Sequence, residues 1–69
     1  MTRLTLQAIA KDIETLKGLV DDDERAHSFE DGLHEEVLKA IAEGRCEDPA
    51  KAAALALTTR NIEFCRWYA

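Results

Sequence analysis

Residues 21–41 read DDDERAHSFEDGLHEEVLKAI, and the spacing of their apolar side chains decides the fold class. At 100° per residue Ala26, Phe29, Leu33, Val37 and Ala40 fall on one stripe, alternately three and four residues apart, the pattern of a helix that buries one face. Such a stripe needs a partner surface. A second stripe beside it carries Asp23, His27, Glu30 and His34 and turns apolar at Leu38 and Ile41, so any chemistry or pH sensitivity is expected there. Asp21 and Glu24 have capping-box spacing, with Asp in the place of Ser or Thr. Gly44 is a good residue to end the helix. Gly32, in the middle, costs about 1 kcal/mol relative to Ala, so either another backbone approaches it closely or the helix bends.

On the N-terminal side, Leu6, Ile9, Ile13, Leu16 and Val20 make a narrow apolar seam over residues 5–20, with Thr2 or Thr5 as N-cap and Gln7, Lys11, Glu14 and Thr15 facing away. On the C-terminal side, Asp48 followed by Pro49 is the clearest helix start in the chain. The expected third helix runs over 49–68, with Ala50, Ala53, Ala54, Leu57, Asn61, Phe64, Cys65 and Tyr68 on one face. Leu55, Ile62 and Trp67 fall outside that face. Asn61 within it is a polar residue of the kind that fixes register or oligomeric state.

No strand-like alternation occurs, so the class is all-α: one domain over 1–69, with helices at about 5–20, 21–43 and 49–68. The architecture is a small three-helix bundle, or a helical hairpin with a third helix. A chain of 69 residues buries little surface and gains from a disulfide, a metal or a second subunit. Cys46 and Cys65 at opposite ends of one helix would stand roughly 25 Å or more apart, which excludes a disulfide across it. Two unpaired thiols, no secretory leader pattern and no long apolar run point to the cytoplasm and away from the membrane. The side bearing Leu55, Ile62 and Trp67 would be exposed in a monomer, so a homodimer is expected.

The net charge of −5 excludes direct nucleic-acid binding through a basic surface. Between positions 21 and 36 eight acids stand against Arg25 alone, concentrating negative field on the N-terminal half of one helix, where it complements the helix dipole. Three functional readings follow. The first is a non-enzymatic helical module that binds a protein partner through Glu30, Asp31, Glu35, Phe64, Trp67 and Tyr68, since aromatic and Arg side chains anchor interfaces. The second is an acidic inhibitor that mimics nucleic acid and occupies the basic groove of a host defence or nucleic-acid enzyme. The third is a site for a divalent metal on His27, Glu30 and His34. His27 and His34 are about 10.5 Å apart along the axis, too far to share an ion without another helix. The plain alternative is i,i+4 pairing of Asp23 with His27 and of Glu30 with His34. A pH switch is a further option for a His beside carboxylates. The acids do not form facing pairs and no phosphate loop is present, so neither catalysis nor a cofactor is expected.

The segments AHSFEDGLHEEVLKAIAEG, the DP helix start and the terminal FCRWYA resemble small acidic proteins of proteobacteria and their phages or prophages. No activity is assigned to that group, so the resemblance implies only an accessory or host-takeover role, including inhibition of a defence complex.

Overall fold

Thr5 and Asp48, two residues suited to helix N-caps, start the first and third helices, and an acid starts the second. The computed structural model describes residues 2–66. Helix α1 spans Leu6–Lys17, α2 Asp23–Ala42 and α3 Pro49–Leu57, followed by a 3-10 turn at Thr58–Asn61. The Thr5 hydroxyl accepts from the N–H of Ala8, Asp22 from Arg25, and Asp48 from Lys51. The α2 cap is thus Asp22, with Asp23 and Glu24 in the first turn against the positive end of the helix dipole. Asp48 takes a left-handed conformation, φ 42°, which Asp tolerates better than most residues.

Gly44 closes α2 at φ 70°. The Gly44 N–H donates to Ile41 O and the Arg45 N–H to Ala40 O, at 3.1 and 2.9 Å. These are the paired bonds of a Schellman motif, and the positive φ is why glycine stands there. The chain then pairs with its own N-terminus. Leu4 N–H donates to Arg45 O, Glu47 N–H donates to Leu4 O, and the Glu47 carboxylate accepts from the N–H of Leu6. Beyond this bridge of Leu4 with Cys46, no strand occurs among the described residues.

The protein is a small all-α three-helix bundle in which each helix packs on the other two. Its core joins Ile9 and Ile13 of α1, Leu33, Val37 and Ala40 of α2, Ala52 and Ala56 of α3, and Cys46 from the α2–α3 connection. Alanines on α3 let it approach its neighbours closely. No helix among the described residues is long and apolar enough to cross a membrane.

The structure differs from the sequence expectation at the third helix. The third helix ends at Leu57 instead of running over 49–68, so Phe64 and Cys65 do not continue a helical face that starts at Ala50. Its buried line is Ala52, Ala56 and Thr59, while Ala50, Ala54, Leu57 and Asn61 are exposed. Asn61 therefore fixes no register inside a core. Leu55 and Ile62, expected on an uncovered side, pack against the core instead. For Ile62 the reason is the end of α3 at Leu57, after which the chain leaves the helical path. Also, within 4 Å of a Cβ built on Gly32 there is no atom to meet, so no backbone approaches it closely.

Candidate functional site

The buried line of α2 is Ala26, Glu30, Leu33, Val37 and Ala40, with Glu30 only 3 % exposed where an apolar residue would ordinarily stand. Phe29, expected on that stripe, is half-buried. A lone carboxylate there would be costly. The cost is met by Arg66, carried back to α2 by the extended segment that follows the 3-10 turn. Arg66 Nε donates to Glu30 Oε1 at 2.8 Å and Nη2 to Oε2 at 3.2 Å, a bidentate pair. The same Nη2 donates to the carbonyls of Thr59 and Ile62, both at 2.9 Å. The guanidinium also lies 3.9 Å from the centre of the Phe64 ring. Burial alone would raise the Glu30 pKa. Hydrogen bonds from Arg66 and the Thr59 hydroxyl, with the positive charge of Arg66, outweigh it and hold the carboxyl below its ordinary value.

His34 caps the other end of this network. Its Nε2 lies 3.1 Å from Ala56 O and 2.9 Å from Thr59 Oγ1. A carbonyl oxygen only accepts, so Nε2 carries the proton. That single N–H is shared between the Ala56 carbonyl and the Thr59 hydroxyl oxygen, and the Thr59 proton is left for Glu30. Ala56 O would have accepted the next helical bond had α3 continued, so His34 and Thr59 help to end the helix. Among the described residues, every fully buried side-chain polar atom has a partner.

The sequence-predicted residues are thus separated by role. His27 Nδ1 stands 3.8 Å from Asp31, one turn further on, and not beside Asp23. Asp23 instead accepts from the N–H of Cys65 at 3.1 Å. Glu30, expected as a metal ligand and a partner contact, has both oxygens held by Arg66 inside the fold. A metal on His27, Glu30 and His34 would have to displace Arg66 and the Thr59 bond. Among the described residues no group of three or more His, Cys, Asp or Glu is arranged to hold an ion. Cys46 and Cys65 are both free thiols, the first buried and the second half-buried. The two do not stand at opposite ends of one continuous helix, because α3 stops at Leu57. Phe64 is half-buried under Arg66, and Trp67 and Tyr68 lie outside the described residues.

Asp31 and Glu35 do reach the surface, and they border a feature that periodicity did not reveal. Among the described residues, the large apolar side chains left exposed are Leu38 at 67 % and Leu57 at 64 %. They stand on the two sides of one groove of about 280 Å³ between α2 and α3, lined also by His34, Val37, Ala53 and Ala56. A shallower trough continues from Leu38 and His34 over Asp31, Glu35, Lys39 and Ala42. Leu38 was legible as the apolar end of the second stripe. Leu57 is not legible in this way, because a run of alanines gives α3 little contrast between its sides.

No family model, curated protein or solved structure matches the chain.

Proposed function

We propose that the chain is a non-enzymatic helical module that binds another polypeptide, in the manner of a small accessory protein, through the open edge between α2 and α3. The observation that carries this reading is the pairing of Leu38 and Leu57 across one groove, when the other large aliphatic side chains among the described residues are at least partly buried. Single exposed leucines are ordinary, but two that share a concave apolar surface with acids at its rim mark a contact site. Asp31 and Glu35 supply that polar rim. The titratable groups of the second stripe support the same reading, since Glu30 and His34 are held in bonds that fasten the C-terminal segment.

The test is capture by tagged wild-type chain and tagged Leu57→Glu from cells of the source organism. A protein retained in stoichiometric amount by wild type, kept by the control Lys11→Glu on the outer face of α1, and lost with Leu57→Glu is the expected result. Equal retention by all three chains overturns the assignment of the groove.

A further inference from the structure

We propose that the occupant of this edge is a second copy of the same chain, bound about a two-fold axis that crosses α2 at the level of residue 37, on the exposed side that carries Glu35, Leu38 and Lys39. The inference rests on the reading of the edge as a docking surface and names the partner. In a two-fold contact one patch meets itself, so it must carry both projection and recess, and both signs of charge. This patch does. Leu38 and Leu57 project from it, and Ala53 and Ala56 lie in the recess between them.

The charges change sign along α2 at the same place. Asp31 and Glu35 precede Leu38 on the trough, and Lys39 follows it. Among the described residues neither Glu35 nor Lys39 is in an ion pair, whereas Asp31, Glu36 and Glu43 each stand opposite a His or Arg. Glu35 and Lys39 are four residues apart, about 6 Å along the axis. A two-fold midway between them places each about 3 Å from it, on opposite sides. Antiparallel apposition of two α2 helices then sets Glu35 against Lys39 of the partner subunit, and symmetry makes the pair twice. A partner of one charge sign would be complementary to only half of this ridge. Ala42 and Ala53, small residues at the two ends, leave room for helix axes about 8–10 Å apart.

Sedimentation velocity over a concentration series tests the arrangement, with helicity and melting temperature of each variant recorded beside it. Wild type is expected to pass from monomer to dimer, and Leu38→Glu to stay monomeric while folded as before. Glu35→Lys and Lys39→Glu are each expected to raise the dissociation constant on the order of ten-fold, and the double exchange Glu35→Lys with Lys39→Glu to recover most of the loss. A wild-type chain that remains monomeric throughout, or a double exchange as weak as the single ones, overturns the proposal. A monomer whose capture of a different protein is abolished by Leu57→Glu overturns the dimer and leaves the docking surface standing. A dimer that persists unchanged in both Leu38→Glu and Leu57→Glu overturns the surface and the proposal together.

Discussion

Glu30 and Arg66, 36 residues apart in sequence, form a bidentate ion pair at 2.8 and 3.2 Å between the buried stripe of α2 and the extended C-terminal segment. The pair decides where that segment lies. With Cys65 N–H on Asp23, it draws the chain back over the first turns of α2. Arg66 retains some exposure, 24 % of its side chain against 4 % for Glu30. The two partners therefore do not carry equal risk when the other is removed.

Arg66→Ala leaves a buried carboxylate without its donor and is expected to destabilise the fold by roughly 3 kcal/mol. Glu30→Ala frees a guanidinium that can turn to water, so its cost should be smaller, about 1–2 kcal/mol. Urea unfolding of the two variants measures both values. Equal losses would mean that Glu30 reaches water once Arg66 is gone.

Acid should weaken the fold through the same pair. The Glu30 pKa is depressed in the folded chain, so its stabilisation is fully present above the ordinary glutamate value of 4.5 and is lost as pH falls through the lower folded value. The stability difference between wild type and Glu30→Gln is expected to shrink as the pH falls below the ordinary glutamate value and through the lower folded one. Chemical denaturation at a series of pH values reads this, and a constant difference would assign the acid limb to other carboxylates.

Gly32 offers a stabilising change. It lies within α2, on the surface, and a Cβ added there meets no atom within 4 Å. Gly32→Ala should raise stability by about 0.5–1 kcal/mol, since it removes backbone freedom from the unfolded chain at no steric cost. Thermal unfolding that shows a lower melting temperature would contradict the open environment. The residue also borders a second groove, of about 330 Å³, with Asp12, Phe29 and Glu36.

The parts of this fold legible in the sequence were those with strong local signals. Ile9, Ile13 and Leu16 repeat at helical spacing between polar neighbours, Asp48 and Pro49 announce a helix start, and Gly44 announces a stop. The end of α3 had no such mark, because Thr58 and Thr59 are neither Gly nor Pro. It is set in part by a contact made from a distance, since His34 takes the Ala56 carbonyl, while Thr58 Oγ1 adds a local bond back to Leu55 O at 2.6 Å. The burial of Glu30 is illegible for a related reason. The spacing 26, 30, 33, 37, 40 is as helical as the one through Phe29, but a carboxylate on a core line makes sense only once its distant arginine is known. Asp31 and Glu35 were recognised as surface acids, while the exposure of Leu57 depended on a helix boundary that local sequence did not carry.

The reading of Leu38 and Leu57 as a contact surface is tested most directly by a photo-crosslinking amino acid placed at position 57 in living cells, with position 7 on the outer face of α1 as control. The expected result is a discrete covalent adduct from position 57 and none from position 7, at twice the mass of the chain when the occupant is a second copy. No adduct from position 57, or the same diffuse products from both positions, would contradict the assignment of this edge.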